Sequence, residues 1–227
     1  MAHGYVIKMS TLTICLLLQI SAASLPQQVG QVWLFVGDSK TTSGSWQTIL
    51  RDNIRTARPA IRPLWFIQTP RFRYGPGIFA KGGMTTAQLR GRVDADLEIM
   101  FGEGAGIHTS HIFYNMSIND APGLESSDEI IWKANTEYII DALHRKYPSA
   151  LLWLTRVWGR NYDSECDLLA TWIVDLHALK TFTRLGPDER IVIKAEDNGV
   201  TNTTDGLHYS IAGDAAWAAE FAILLGY

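Results

Sequence analysis

Residues 32–42 read VWLFVGDSKTT, and this stretch decides the fold. Five apolar residues in a row, rich in valine and aromatic side chains, are typical of a buried strand. The Gly-Asp-Ser that follows ends the strand, and the next apolar positions, at 45–57, predict a helix. The stretch therefore predicts the first strand of an α/β domain, with a serine at the point where that strand ends.

The same alternation of strands and helices continues along the chain. Because such alternation forms a parallel sheet with helices on both faces, the carboxyl ends of the strands share one edge. Ligands bind at that edge in sheets of this kind. No repeat or linker divides the pattern, so we expect a single domain. The predicted strands lie at 31–36, 63–68, 108–116, 150–157 and 190–195, and the predicted helices at 45–57, 86–100, 127–147, 163–183 and 212–225.

Composition excludes several classes of protein. Hydrophobic residues make up 47% of the 227 residues and charged residues 19%, so the chain can form a core and is not expected to be disordered. The 20 basic and 23 acidic residues give a net charge of −3, which argues against nucleic acid or an anionic membrane as the main partner. Two cysteines exclude a disulfide-stapled miniprotein, and the sequence has no Cys/His cluster with the spacing of metal ligands.

The N-terminal segment is typical of a secretory signal. Lys8 precedes an apolar run at 12–20, which is about half of the ~20 residues that a membrane span needs, and small residues follow it. We predict a signal peptide over 1–23 and one domain over 24–227, secreted or released into a periplasmic lumen without stable membrane insertion. Cleavage would leave Cys166 as the single cysteine. A buried N-terminal helix is the alternative.

Ser39 is the candidate nucleophile, since a serine between a strand and a helix exposes its hydroxyl at the ligand-binding edge. Two other motifs fit less well. A phosphate-binding loop requires a glycine immediately before Lys40, and a nucleophile elbow requires glycine at Thr41 as well as at Gly37. Taken alone, these residues leave a plain turn or helix cap open.

A nucleophilic serine needs a base and a group that orients the base. Two segments place an aspartate three residues before a histidine: Asp141 with His144, and Asp205 with His208. The first pair lies late in a predicted helix, about 25 Å from its start and towards the opposite edge of the sheet, so we expect a surface pair. Asp205 and His208 follow the last predicted strand through a polar turn, which favours them, although an Asp-Gly turn is also common without any catalytic role.

Two further segments end at the same edge. Asn119 follows the third predicted strand and carries a side-chain amide that can donate a hydrogen bond. Gly83 lies between the second strand and the second helix, where glycine permits close approach of the backbone.

Together these segments resemble the sequence blocks of the SGNH (GDSL-type) hydrolases over nearly all of 24–227. The resemblance implies a flavodoxin-like three-layer α/β/α sandwich with a five-stranded parallel sheet, the SGNH hydrolase fold. The segments that carry it are Gly37-Asp38-Ser39, Gly83 with Thr85-Thr86, Asn119-Asp120, and DGLHY at 205–209.

The resemblance also implies roles. Ser39 would be the nucleophile, His208 the general base and Asp205 its orienting carboxylate, and no metal or cofactor would be needed. The backbone N–H groups of Ser39 and Gly83 and the amide of Asn119 would form the oxyanion hole.

Two residues depart from the pattern of this family. Ser117 stands where the third block usually begins with glycine, which could shift the neighbouring oxyanion donor. Lys40 is unusual after the nucleophile, and we expect it to point into solvent.

Basic and aromatic residues near the edge are candidate substrate contacts. Arg73 and Tyr74 lie in a loop after the second strand, and Arg156 and Trp158 follow the fourth. Stacking and charge at these positions would suit a polar substrate. A solvated loop is the alternative. We expect the tryptophans inside predicted strands and helices to lie in the core: Trp33, Trp65, Trp132, Trp153, Trp172 and Trp217.

The resemblance therefore implies a serine esterase that acts through an acyl-enzyme, and the N-terminal segment predicts that it is secreted. Because the predicted loops contain no long apolar lid segment, we expect short-chain esters or acetylated carbohydrate esters as substrates. An acyltransferase of the same fold, a lysophospholipase or thioesterase, and a non-catalytic glycan-binding module are the alternatives. The sequence leaves the oligomeric state open.

Overall fold

A computed structural model of the chain describes residues 32–58, 64–65, 78–100, 109–194 and 201–227. The predicted signal peptide at 1–23 and the candidate substrate contacts Arg73 and Tyr74 lie outside the described residues, so both stay predictions. Among the described helices, none combines the length and the apolar character that crossing a membrane requires.

All the described strands pair in parallel. The first strand, β1 (Val32–Gly37), lies second from one edge of the sheet. One side pairs with β4 (Thr109–Asn115), and the other side pairs with β2 (Leu64–Trp65) near its start and with β3 (Ile78–Ala80) near its end. Because β2 and β3 share one position beside β1, the sheet has five positions in a flavodoxin-like order. The strands are β1 (Val32–Gly37), β2 (Leu64–Trp65), β3 (Ile78–Ala80), β4 (Thr109–Asn115), β5 (Leu151–Arg156) and β6 (Thr183–Asp188).

Helices cover both faces of this sheet. Neighbouring residues of a strand point to opposite faces, and in β4 Phe113 packs edge-on against Phe221 while Tyr114 lies beside Thr136. Phe221 belongs to α8 (Ile211–Leu224) and Thr136 to α5 (Glu129–Lys146), so these two helices lie in different layers. The helices are α1 (Ser39–Ser43), α2 (Trp46–Ala57), α3 (Thr86–Arg90), α4 (Val93–Met100), α5 (Glu129–Lys146), α6 (Asp163–Leu179), α7 (Glu189–Val192) and α8 (Ile211–Leu224).

The predicted three-layer α/β/α architecture is confirmed, and the core is rich in aromatic side chains. Trp46 of α2 stacks on Phe221 of α8 with ring centroids 5.4 Å apart, and Phe35 of β1 packs edge-on against Trp46. The tryptophans predicted to be core residues are buried wherever their side chains are described: Trp33, Trp132, Trp153, Trp172 and Trp217. The Trp65 side chain lies outside the described set.

The last strand was placed wrongly by the sequence pattern. It runs over Thr183–Asp188 and not over 190–195, because the Asp188 side chain accepts the Arg190 N–H at 3.0 Å and caps α7. Gly186 and Pro187 are unfavourable in strands, so the sequence pattern did not indicate a strand here. β6 lies at the end of the strand order and tolerates a proline there, since an edge strand need not donate on its outer side. The helix predicted at 86–100 is divided at Gly91 into α3 and α4.

Candidate active site

Ser39 is the first residue of α1, at the carboxyl end of β1. The turn before it requires glycine, because a Cβ on Gly37 would lie 1.9 Å from the Thr41 Oγ1. The Asp38 Oδ1 accepts the Lys40 N–H at 3.1 Å and so caps the helix. The Ser39 side chain is half-buried and lies at the predicted edge.

Asp38 itself is fully buried next to Ser39. Burial raises the pKa of its carboxyl group to about 7, although the charge of Lys40 and nearby N–H groups lower it. Asp38 is therefore partly protonated near neutral pH. The Asp38 Oδ1 bonds to the helix, and in the described part of the chain no hydrogen bond joins Asp38 to His208.

Asp205 and His208 are in direct contact. The Asp205 Oδ2 lies 2.7 Å from the His208 Nδ1, and its Oδ1 accepts the N–H groups of His208 at 2.7 Å and of Leu207 at 2.9 Å. Burial alone would raise the pKa of Asp205, but these hydrogen bonds hold it at about 2. Asp205 is thus a carboxylate at neutral pH. With Nδ1–H donated to it, the His208 Nε2 is left to accept a proton.

The turn that carries this pair is held at several points. Thr203 and Tyr209 form an antiparallel bridge, and the Thr204 N–H donates to the His208 carbonyl at 2.9 Å. Gly206 has a φ of +84°, which glycine adopts without strain, and its carbonyl accepts the Arg160 N–H at 2.8 Å. The turn is therefore fixed to the segment after β5. Within the described residues, no hydrogen bond joins Ser39 to His208.

The predicted oxyanion residues lie beside Ser39. A Cβ on Gly82 would be 3.7 Å from the Ser39 Cβ, and the next residue, Gly83, has a φ of +73°. The Asn119 Nδ2 donates to the Met84 carbonyl at 3.1 Å, so the two predicted blocks are joined. In the described part of the chain, the N–H groups of Ser39 and Gly83 donate to no backbone carbonyl, which leaves them available to an anion.

Asp120 joins the same two blocks from the neighbouring position. Its carboxylate accepts the Thr86 N–H at 3.1 Å and the Thr86 hydroxyl at 2.9 Å. Burial raises the pKa of Asp120 to about 6 against these hydrogen bonds.

Ser117 explains why glycine is usual at the start of the third block. Its φ is +103°, in the left-handed region where a Cβ is strained. The Ser117 side chain is buried beside the Tyr114 hydroxyl. Asn119 follows in a 3₁₀ turn, Ile118–Asp120, and still reaches Met84. Serine at 117 therefore leaves Asn119 next to Gly83.

Lys40 does not point into solvent, so that expectation was wrong. The side chain is 1% exposed, and its Nζ binds the Glu189 carboxylate and the Trp158 carbonyl. Glu189 is the residue near the site that the sequence did not indicate. It lies 149 positions from Lys40, and no local pattern distinguishes it from other acidic residues at helix starts.

The two candidate substrate contacts after β5 are held within the fold. The Arg156 Nη2 donates to the Gly186 carbonyl at 2.9 Å, and its guanidinium lies 3.5 Å from Asp188. Trp158 is buried, and its indole N–H donates to Asp163. In this structure these groups bind the protein itself and do not form an open binding surface.

A groove of about 240 Å³ lies next to the oxyanion segments. It adjoins the candidate site without containing it, since Ser39, Gly83, Asn119 and His208 do not line it. Its lining mixes carboxylate, amide and apolar groups, among them Thr86, Asp120, Ile131, Trp132 and Asn135. Within the described ranges, the groove included, no group of three or more His, Cys, Asp or Glu residues could hold a metal ion.

Comparisons with known proteins identify the fold. No protein-family model matches the sequence, and comparison with curated protein sequences gives no match. Among solved structures, the chain is similar to a carbohydrate esterase of family 3 from Talaromyces cellulolyticus, with a TM-score of 0.64 and 12% identity over 86% of this chain and 96% of that one. An acetyl-xylooligosaccharide esterase from Geobacillus gives a TM-score of 0.66 and 13% identity over 88% and 97% of the two chains.

The psychrotrophic esterase EstA from Pseudoalteromonas is also similar, with a TM-score of 0.59 and 15% identity over 84% of this chain and 93% of that one. At these identities the similarity establishes the fold alone. The chain has the three-layer fold of the SGNH hydrolases, which confirms the fold that the sequence blocks implied.

Proposed function

We propose that this protein is a serine esterase of the SGNH type. The observation that carries the proposal is the 2.7 Å contact between the Asp205 carboxylate and the His208 Nδ1, because it prepares Nε2 as a base. Ser39 at the end of β1 supplies a hydroxyl at the same edge. The fold similarity to several esterases supports the same assignment.

In the proposed reaction, the His208 Nε2 takes the Ser39 proton as Oγ attacks the ester carbonyl. Backbone N–H groups of Ser39 and Gly83 and the amide of Asn119 stabilise the oxyanion. Collapse expels the alcohol, which receives the proton from His208 and leaves an acyl group on Ser39. A water molecule, deprotonated by His208, attacks that acyl group; the acid is released and Ser39 regains its proton.

We propose acetylated carbohydrate esters as the substrate class. Two similar structures are esterases whose names refer to carbohydrate or acetyl-xylooligosaccharide substrates. The groove beside Asn119 presents Asp120 and Asn135 next to Ile131, a mixture that suits a sugar with polar edges and apolar faces. We place the sugar alcohol in this groove and the acetyl group at Ser39.

Replacement of Ser39 by alanine tests the assignment. The Ser39→Ala variant should lose hydrolysis of p-nitrophenyl acetate and labelling by a fluorophosphonate while its circular dichroism stays unchanged. Ser164→Ala, at an exposed serine whose hydroxyl donates to Glu165, is the matched control and should keep full activity. Unchanged turnover in Ser39→Ala would remove Ser39 from the mechanism.

A wild-type chain that neither labels nor hydrolyses any ester would favour a non-catalytic glycan-binding module. Product analysis with an added sugar acceptor separates hydrolysis from acyl transfer. We also propose that the protein is secreted after cleavage near residue 23; N-terminal sequencing of protein from the culture medium tests this.

A further inference from the structure

Three groups converge on one buried carboxylate near the candidate site, that of Glu189. Glu189, with 0% exposure, accepts the Lys40 ammonium and the Trp158 N–H on Oε2 and the Tyr209 hydroxyl on Oε1. The Trp158 N–H lies at 2.8 Å. The Lys40 ammonium also binds the Trp158 carbonyl and lies 5.4 Å from the centre of the Tyr209 ring. The carboxylate is thus shared by three separate segments of the chain.

The positions of these partners in the sequence connect them to catalysis. Lys40 directly follows Ser39, and Tyr209 directly follows His208. Glu189 therefore binds the residue that follows the proposed nucleophile and the residue that follows the proposed base. Trp158 fixes the carboxylate to the segment after β5, so both catalytic segments are held against a common point in the core.

Stability alone is a poor explanation for this arrangement. A buried ion pair costs desolvation of both charges and is often no more stabilising than apolar residues of the same volume. Buried polar networks do fix geometry, because each group has one arrangement that satisfies its hydrogen bonds. Among the hydrogen bonds of the described residues, none joins Ser39 to His208, so their separation is set by the segments that carry them.

We propose that Glu189 is a positioning residue that sets the distance and orientation between Ser39 and His208. It binds Lys40 on the nucleophile segment and Tyr209 on the base segment. The inference rests on the proposed esterase function. Glu189 does not touch the reacting atoms, and its effect on the rate passes through the placement of the two catalytic side chains.

Tyr209→Phe is the sharpest test, since it removes only the hydroxyl that connects the base segment to Glu189. The phenylalanine ring keeps the packing on Lys40, and the Lys40–Glu189 ion pair remains. We expect kcat per active site to fall roughly 10- to 100-fold with KM nearly unchanged, because small displacements of catalytic groups reduce rates by such factors. The rate constant for fluorophosphonate labelling of Ser39 should fall in parallel.

Active sites are counted by fluorophosphonate titration, so a loss of folded protein cannot imitate a lower kcat. Tyr147→Phe removes a hydroxyl from another buried tyrosine, at the end of α5, and should leave both rates at the wild-type value. Wild-type kcat per titrated site in Tyr209→Phe, whatever its melting temperature, would overturn the positioning role and leave the esterase proposal intact. An inactive, unlabelled wild-type protein would overturn both.

Discussion

Replacing Lys40 with methionine should lower the free energy of unfolding by about 3 kcal/mol at neutral pH. Methionine keeps the length and apolar character of the lysine stem but leaves the Glu189 carboxylate buried without its counter-charge. Loss of one partner from a buried ion pair costs about 3–5 kcal/mol. Glu189 retains the Trp158 N–H and the Tyr209 hydroxyl, so we expect the lower end of that range.

Urea denaturation followed by circular dichroism measures this loss, together with a second substitution that reverses part of it. The Lys40→Met/Glu189→Gln double variant should be about 1–2 kcal/mol more stable than Lys40→Met, because the neutral amide removes the unpaired charge. Full recovery is not expected, since the Trp158 carbonyl still lacks the donor that Lys40 supplied. Lys133→Met, which breaks partly exposed ion pairs with Glu129 and Asp175, should cost less than about 1 kcal/mol.

Two results would contradict this role of Lys40: a Lys40→Met variant as stable as Lys133→Met, or a further loss of stability when Glu189→Gln is added to Lys40→Met. The first result would mean that the Lys40–Glu189 pair contributes no more than a surface pair. The second would mean that Glu189 depends on its hydrogen bonds to Trp158 and Tyr209 rather than on the charge of Lys40.

Three further outcomes are expected. The free energy of unfolding of Ser117→Gly should be about 1 kcal/mol higher than that of Ser117→Ala. At a φ of +103° a Cβ costs about 1–2 kcal/mol, and the chain entropy of glycine offsets part of this gain. Thermal melts of the two variants test this. Burial raises the pKa of Asp38 from 3.8 to about 7 in the folded chain, so the contribution of Asp38 to stability falls as the pH rises through this interval. Asp38→Asn should reduce that fall, and urea midpoints against pH decide it. Ile131→Trp, at an exposed groove residue, should raise KM for acetylated oligosaccharides but not for p-nitrophenyl acetate. The control Ile130→Trp, at an exposed residue outside the groove lining, should change neither KM. Equal KM values for the two variants would place the sugar elsewhere.

Much of the fold could be predicted because each element depends on its own residues. The strand at Val32–Gly37 and the helix at Trp46–Ala57 follow from local apolar spacing, and the structure confirms both. The last strand could not be found this way. Thr183–Asp188 contains glycine and proline, and only its place at the edge of the sheet makes those residues acceptable.

In the candidate site too, local contacts could be predicted from the sequence and contacts between distant segments could not. The Asp205–His208 contact is local, since three residues and a glycine turn bring the carboxylate to the imidazole. Its spacing, together with its place after the last predicted strand, was therefore sufficient to propose it. Arg156 and Trp158 were proposed from position alone. Their hydrogen bonds to Gly186 and Asp163 depend on how the segments after β5 pack, which spacing does not encode.

Lys40 shows why a charged residue next to a nucleophile is hard to place from sequence. A lone lysine is rarely buried, because desolvation of its charge must be offset by a partner. Here the partner lies 149 residues away, at the start of α7, and the other ligands of that partner follow β5 and His208. The charge can enter the core only after four distant segments have met. The burial of Lys40 and the proposed alignment of Ser39 with His208 depend on the same contacts of Glu189. We therefore expect Lys40 to be buried only when the two proposed catalytic segments are correctly placed.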